Sequence, residues 1–199
     1  MNLISNIDIS SIDSYSPLAI YDFSNLIYRY FARAEIENHE NIIILCIGSD
    51  RSTGDSLGPL VGYKLEPILA TYDNICVLGT LNKPVHAKNL EEQIDFINTE
   101  YINPFVLAID ASLGRFDKVG YVNIKNGPLK PGLGVNKKLP DIGNISITGV
   151  VNISGMMEYV VLQNTRLGLV MNMADVISRS THIALHKYIR EKREKKSKF

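Results

Sequence analysis

The sequence of 199 residues predicts an α/β protein in which a mainly parallel sheet lies between two layers of helices. Three short apolar runs follow one another along the chain, and the segments between them carry apolar residues at helical spacing. A strand–helix–strand–helix–strand order is typical of a parallel sheet with right-handed crossovers. We therefore predict a three-layer α/β/α sandwich that forms a single domain over residues 1–199.

The three parallel strands are predicted from uninterrupted apolar runs, which indicate burial on both faces of a sheet. The first run is NIIILCIG at residues 41–48, the second covers 75–78 and the third covers 105–109. Helices are predicted between them over 56–69 and 89–101, where apolar residues recur every three or four positions.

The regions on either side of these crossovers complete the predicted domain. A helix is expected over 17–34, within an N-terminal helical extension, and a long terminal helix from about residue 166 to beyond Tyr188. Two further strands, at 121–125 and 145–150, make the expected sheet mixed as well as mainly parallel. The extension, the α/β core and a basic tail are placed at 1–40, 41–186 and 187–199.

The charge balance excludes the simplest nucleic-acid-binding function. Lys plus Arg number 21 and Asp plus Glu number 21, so the chain lacks the positive excess that phosphate neutralisation requires. No apolar run approaches the roughly 20 residues that span a bilayer, and the N-terminus lacks the pattern of a signal peptide. We therefore expect a cytoplasmic protein with no nucleic-acid or membrane partner, for which a homo-oligomer remains open.

Polar residues follow each of the three predicted strands. The first strand leads into GSDRSTGDSLGP, which contains Asp50 and Asp55, and the second into GTLNKPVHAKNL, which contains His86. The third ends directly in Asp110, with Ser112 two residues later. Ligands of open α/β sheets bind outside the carboxyl ends of the parallel strands. The three aspartates are therefore expected to converge at one edge of the sheet.

Several roles are open for these residues. Asp55 could be a helix N-cap, and His86 could be an ordinary hydrogen-bonded loop residue. The first loop matches neither GxGxxG nor GxxxxGKS/T, and its carboxylates stand where a phosphate would bind, which disfavours nucleotide binding. Two facing carboxylates can bind a metal ion or share a proton. When they share a proton, the repulsion between their charges raises the pKa of one of them.

Three motifs resemble a known group of peptidases. CIGSDRSTGDSLGPLVG resembles the first loop of the spore germination protease and of the nickel-hydrogenase maturation endopeptidases, and FVLAIDAS resembles their second acidic motif. PGLGVNKKLPDIGNISITGVVN resembles the Gly-rich loop and following strand of the germination protease. The resemblance covers roughly residues 41–152 and is greatest to compact sporulation proteins of the YyaC type.

The resemblance implies a phosphorylase/hydrolase-like fold and places Asp55 and Asp110 at the two acidic positions of the group. In the germination protease these positions are the proposed catalytic aspartates, whereas in the hydrogenase enzymes they help a histidine to bind nickel. Residues 112–139 contain no histidine that could complete such a nickel site. This favours a relationship to the spore germination protease over one to the hydrogenase enzymes.

The leading hypothesis is a cytoplasmic, sporulation-associated peptidase-like protein of a spore-forming cell. Water activated between Asp55 and Asp110 would cleave a protein or peptide substrate without a cofactor. Asp50 and His86 would orient the pair, and backbone N–H groups around Gly54 and Ser112 would stabilise an oxyanion. The alternatives are a catalytically inactive binding module in sporulation and a maturation-type endopeptidase with a divalent metal at Asp55 and Asp110.

Overall fold

The structure, a computed structural model, describes residues 10–131, 139–155 and 157–196. One six-stranded mixed sheet is flanked by helices in this part of the chain. The strands are β1 (Ser10–Asp13), β2 (Ile42–Cys46), β3 (Ile75–Leu78), β4 (Phe105–Gly114), β5 (Tyr121–Asn126) and β6 (Ile145–Ile153). The α-helices are α1 (Ala19–Arg33), α2 (Leu57–Leu69), α3 (Leu90–Glu100), α4 (Glu158–Gln163) and α5 (Leu167–Lys196).

The sheet has the strand order β1-β5-β6-β4-β2-β3. Strands β3, β2, β4 and β6 run parallel to their neighbours, whereas β5 is antiparallel to β6 and β1 is antiparallel to β5. This arrangement confirms the predicted α/β class with a mainly parallel, mixed sheet between helices. Part of the third motif, at 132–138, lies outside the described residues, as do residues 1–9 and 197–199 of the two ends.

Successive residues of β2 face two different buried layers. Ile42, Ile44 and Cys46 belong to the core that the sheet forms with α1, α2 and α5. Ile43 and Leu45 belong to the core on the opposite face, which contains residues of α3. Both faces of β2 are therefore covered, which explains its uninterrupted apolar sequence.

Strand β4 extends to Gly114, five residues beyond the predicted end at 109. Its pairing with β2 ends at Ile109, but its pairing with β6 continues, and Asp110 lies opposite Thr148. The expectation that Asp110 follows the end of its strand is therefore wrong. Asp110 lies within β4, at the first position where one neighbouring strand has ended.

The N-terminal extension contributes a strand as well as the predicted helix. Residues Ser10–Asp13 pair with β5 and form one edge of the sheet, so this region is not only a helical addition. The sequence SSID has a single apolar residue and gives no strand signal, because an edge strand buries few side chains. The helix expected over 17–34 is present as α1.

Helix α5 continues to Lys196, within the segment that was predicted to be a basic tail. Tyr188 is buried against the edges of the Tyr28 and Phe31 rings. The Tyr28 hydroxyl donates a hydrogen bond to Glu191, and Lys192 forms an ion pair with Glu37. Residues 187–192 are therefore docked on the N-terminal region rather than detached. Within the described residues, no helix is long and apolar enough to cross a membrane.

We expect Tyr188→Ala to lower the free energy of unfolding by about 3–5 kcal/mol, because it removes a buried aromatic ring from the contact between α1 and α5. Urea unfolding followed by circular dichroism measures this loss. Tyr159→Ala is a matched control, because that ring is exposed and its removal is expected to change the same quantity by about 0.5 kcal/mol or less. Equal losses in the two variants would contradict the docking of the tail.

Candidate active site

A tight turn after β2 positions Asp55 at the carboxyl end of the parallel strands. The Gly48 N–H donates to the Val85 carbonyl at 2.8 Å, and the Ser49 N–H donates to the Asp55 main-chain carbonyl at 3.1 Å. Gly48 has a φ of +143°, and a Cβ atom there would lie 2.0 Å from the Asp55 carbonyl oxygen. Only glycine fits this position, because the returning chain occupies the space of any side chain.

The Asp55 carboxylate is not a helix cap. Asp55 is the middle residue of a 3₁₀ turn over Gly54–Ser56, and neither this turn nor α2 has a side-chain hydrogen bond at its N-cap. The Ser56 hydroxyl instead closes the turn by donating to the Thr53 carbonyl at 2.7 Å. The capping alternative is therefore wrong, although the half-buried Asp55 carboxylate accepts a hydrogen bond from the Ser49 backbone.

Asp110 lies where β4 loses its pairing with β2. The Ile47 N–H donates to the Ile109 carbonyl at 2.7 Å, so the main-chain N–H and C=O of Ile109 point towards β2. Main-chain groups alternate along a strand, so those of Ala111 point to the same side. Strand β2 has already ended there, and the Asp110 carboxylate accepts the Ala111 N–H at 2.7 Å. This bond satisfies a backbone donor that β2 leaves unpaired, and it fixes the Asp110 side chain at the carboxyl end of β2.

The two carboxyl groups interact and share a desolvated site. Burial raises the pKa of Asp110 well above its usual range, and the negative charge of Asp55 raises it further, against the opposing hydrogen bond from Ala111. Burial also raises the pKa of Asp55, opposed by a hydrogen bond from the Ser49 backbone and by His86. The pair therefore favours a state in which Asp110 holds a proton and Asp55 is ionised.

The raised pKa of Asp110 predicts a specific dependence of stability on pH. Its pKa is higher in the folded than in the unfolded state, so its contribution to stability is full below pH of about 4 and is lost as the pH rises toward the folded-state pKa. We expect Asp110→Asn to be more stable than the wild type at pH 7 and this difference to shrink toward pH 4. Thermal unfolding across pH 4–8 measures it.

Asp50→Asn is the control for that experiment, because Asp50 is an exposed carboxylate of the same region. We expect the wild type and Asp50→Asn to follow the same dependence on pH. A wild type that gains stability relative to Asp110→Asn as the pH rises would contradict the raised pKa.

His86 lies beside Asp55 on the loop that follows β3. Val85 forms a parallel β-bridge with Ile47, and the His86 N–H donates to the Asn89 side chain at 2.8 Å. Nδ1 of His86 is buried and has no hydrogen-bond partner among the described residues. The same is true of Oγ of Ser52, three residues before Asp55. Ser52 was missed by the sequence analysis, because the sequence gives no sign of whether a hydroxyl finds a partner.

Of the other predicted site residues, Gly54 and Ser112 make contacts that support the fold. Asp50 is exposed and forms no ion pair with a described residue. A Cβ atom on Gly54 would lie 2.8 Å from Leu162 Cδ2 and 2.9 Å from Thr165 Oγ1, so Gly54 permits close packing against α4 and the turn after it. The Ser112 hydroxyl donates to the Gly149 carbonyl, and by strand alternation the Ser112 N–H faces β6. Ala111, rather than Ser112, presents its N–H to the site.

An exposed apolar surface, here named the apolar rim, lies next to the turn that carries Asp55. Helix α4 packs on this turn, and the Ser154 N–H donates to the Gly114 carbonyl at 2.7 Å, which joins the ends of β6 and β4. Large apolar side chains of this region are exposed to solvent, as are others elsewhere on the described surface. The members of the rim are Ile153, Met157, Tyr159 and Val160.

The site does not have the donor set of a metal centre. Among residues 10–131, 139–155 and 157–196, no group of three or more His, Cys, Asp or Glu side chains is arranged to hold a metal ion. The raised pKa of Asp110 also favours the protonated carboxyl, which is a poor ligand for a cation. The described residues therefore do not fit the nickel site that the resemblance to the hydrogenase enzymes implies.

The fold is similar to that of a hydrogenase maturation protease. The structure is similar to the crystal structure of the NiFe hydrogenase maturation protease HycI from Thermococcus kodakarensis KOD1, with a TM-score of 0.51. The match covers 81% of this chain and 99% of that chain at 16% sequence identity. At this identity the similarity establishes the common α/β fold alone.

The chain belongs to the family described as "Protein of unknown function (DUF1256)", which matches residues 11–180. It is 58% identical over 137 residues to the "Uncharacterized protein YyaC" of Bacillus subtilis strain 168. The aligned segment covers 69% of this chain and 66% of that relative. The resemblance to YyaC-type proteins is thereby confirmed at the level of the family.

Proposed function

We propose that the protein is an aspartate-dependent peptidase. Asp55 and Asp110 would act together to hydrolyse a peptide bond of a bound protein or peptide substrate. The observation that carries the proposal is the pair itself: two interacting, desolvated carboxyl groups, of which Asp110 has the more strongly raised pKa. Such a pair separates the roles of base and acid, because one member is ionised while the other keeps a proton. The fold shared with HycI, a maturation protease, supports this reaction class.

In the proposed reaction, ionised Asp55 accepts a proton from a water molecule whose oxygen attacks the peptide carbonyl carbon. Protonated Asp110 donates its proton to the leaving nitrogen as the carbon–nitrogen bond breaks. One water is consumed, and a carboxylic acid and an amine are released. Proton transfer from Asp55 to Asp110 then restores the starting state.

The apolar rim supports a polypeptide as the substrate. A small polar metabolite would gain nothing from four exposed apolar side chains, whereas a partly unfolded polypeptide would bury its own apolar residues against them. The sporulation setting is a further part of this proposal and derives from the resemblance to the spore proteins. The cytoplasmic location is another part, and it is the expectation from the apolar pattern of the sequence.

The test is hydrolysis of a proteome-derived peptide library, with new N-termini identified by mass spectrometry. Wild type and the double variant Asp55→Asn/Asp110→Asn are compared at pH 6–8, with and without a chelator. We expect sequence-selective cleavage by the wild type, none by the variant, and no loss on chelation. Cleavage that the double variant retains, or that a chelator abolishes, would refute the metal-independent aspartate mechanism.

A second candidate function is a binding module without catalysis. It is favoured by one specific observation, the bond from the Ala111 N–H to the Asp110 carboxylate, which gives Asp110 a structural role in ending the pairing of β4 with β2. In that case, Asp110→Asn would remain folded and would bind peptides as the wild type does, and neither protein would cleave any of them.

A further inference from the structure

Two buried polar atoms beside the proposed catalytic pair lack a hydrogen-bond partner in the part of the chain that the structure describes. They are Oγ of Ser52 and Nδ1 of His86. Buried polar groups of folded proteins nearly always have a partner, and each exception calls for an explanation. The other two such atoms among the described residues, Thr181 Oγ1 and Tyr188 Oη, lie on α5.

The two atoms lie on two loops that diverge from one bridge between the segments that follow β2 and β3. Ile47 pairs with Val85, and the Gly48 N–H donates to the Val85 carbonyl. The first loop continues through Ser52 to Asp55, and His86 directly follows Val85 on the second. His86 also interacts electrostatically with Asp55, so both loops border the same carboxylate.

The neighbouring side chains on each loop already have their partners. Ser49 Oγ accepts the Arg51 N–H, and Ser56 Oγ donates to the Thr53 carbonyl. On the second loop, Asn89 accepts the His86 N–H and donates to the Pro84 carbonyl. The loops thus satisfy these polar groups internally, which makes the two orphaned atoms a local exception rather than a general looseness of the loops.

We propose that Ser52 Oγ and His86 Nδ1 are positioning groups that form hydrogen bonds with the main chain of the polypeptide substrate beside the bond to be hydrolysed. A hydroxyl and an imidazole can each donate or accept, and a peptide unit offers one donor and one acceptor. Two such groups would therefore bind the main chain without selecting a side chain. The inference rests on the proposed function, whose substrate it defines as an extended polypeptide.

The proposed contacts require small rotations of both side chains. Ser52 and His86 are each only half-buried, although the two atoms themselves are covered. A change of χ1 moves the Ser52 hydroxyl between staggered positions, and a turn of the His86 ring exchanges the two sides of the imidazole.

The binding test uses fluorescein-labelled β-casein, an unfolded protein, and measures fluorescence anisotropy in the Asp110→Asn background to prevent hydrolysis. We expect Ser52→Ala and His86→Ala each to weaken binding by about 3- to 10-fold, the effect of one lost hydrogen bond. His86→Asn carries an amide near the position of Nδ1 and should retain more affinity than His86→Gln. Ser180→Ala is the control with unchanged affinity.

A stability measurement separates binding from folding. Removing an orphaned hydroxyl costs the folded state no hydrogen bond, so the thermal midpoint of Ser52→Ala should equal or exceed that of the wild type. Ser180 is buried too, but its hydroxyl donates to the Ile20 carbonyl at 3.1 Å, so Ser180→Ala should lower the midpoint. Equal decreases in the two variants would show that Ser52 Oγ has a partner inside the protein and would overturn the inference.

The remaining outcomes distinguish the two proposals. If hydrolysis depends on Asp55 and Asp110 while Ser52→Ala and His86→Ala bind β-casein as the parent does, the inference fails and the proposed function stands. If the aspartate variants lose no activity but these two variants bind β-casein more weakly, the proposed function fails and the subsite stands. A parent protein that does not bind β-casein overturns the inference.

Discussion

Replacing either Asp55 or Asp110 by Asn is expected to lower kcat for peptide hydrolysis by about 100- to 10,000-fold, the usual contribution of a positioned acid or base. Asn has nearly the shape of Asp but cannot take up or release the proton that the reaction moves. KM should change little, because neither carboxyl group is proposed to bind the rest of the substrate. Initial rates on a cleaved library peptide give both constants.

The double variant sharpens this prediction, because residues that act as one unit do not contribute additively. Once one member of the pair is lost, the other has no proton to exchange, so Asp55→Asn/Asp110→Asn should be no slower than the slower single variant. Asp95→Asn, which changes an exposed carboxylate on α3, should keep the wild-type rate within a few-fold. Losses that multiply in the double variant would contradict the shared proton.

The wild type should also show a bell-shaped dependence of kcat/KM on pH. Activity requires one proton on the pair, and it is lost when the pair gains a second proton or gives up the first. Because burial raises the pKa of both groups, the maximum is expected at a higher pH than the ordinary range of carboxylic acids would give. The rates should be measured from pH 4 to pH 9 at low substrate concentration.

The second large effect is expected from Gly48→Ala. The new Cβ atom would lie 2.0 Å from the Asp55 carbonyl oxygen and 3.0 Å from Pro59 Cδ, in a backbone conformation that alanine avoids. The turn between Ser49 and Asp55 must then open, at a cost on the order of 3–5 kcal/mol. For a chain of this size, we expect the thermal midpoint to fall by about 10 °C or more.

Gly127→Ala is the control that separates the steric cost of the new Cβ contact from the cost of the backbone conformation. Gly127 has a φ of +90°, but no atom lies within 4 Å of its added Cβ atom. It should lose only about 1–2 kcal/mol, the cost of the backbone conformation itself. Differential scanning calorimetry compares the two variants with the wild type. A Gly48→Ala protein that unfolds no earlier than Gly127→Ala would show that the turn is not sterically closed.

The sequence predicted the central part of the fold well, because its signals there are local. Strand β2 and the crossover helices α2 and α3 have the apolar spacing that their burial requires, and strand β3 was placed at its observed residues. Strand β1 was missed, since its only support is pairing with β5, more than 100 residues away. The extension of β4 past Asp110 likewise depends on β6, a partner that the local pattern does not reveal.

The candidate site was predictable in its residues and not in its interactions. The rule that ligands bind at the carboxyl ends of parallel strands, together with the motif resemblance, pointed to Asp55 and Asp110. The hydrogen bond from Ala111 and the orphaned atoms of Ser52 and His86 depend on distances of a few ångströms. Such distances follow from the packed fold, so sequence spacing could not reveal them.

The pairing of β1 with β5 has a consequence during synthesis on the ribosome. Ser10 lies opposite Ile124, so 124 − 10 = 114 residues separate the two partners. At about 5–20 residues per second, the first strand waits on the order of ten seconds for its neighbour to be translated. The nascent chain can form the crossovers around β2 and β3 during this delay, and the edge of the sheet is completed only afterwards.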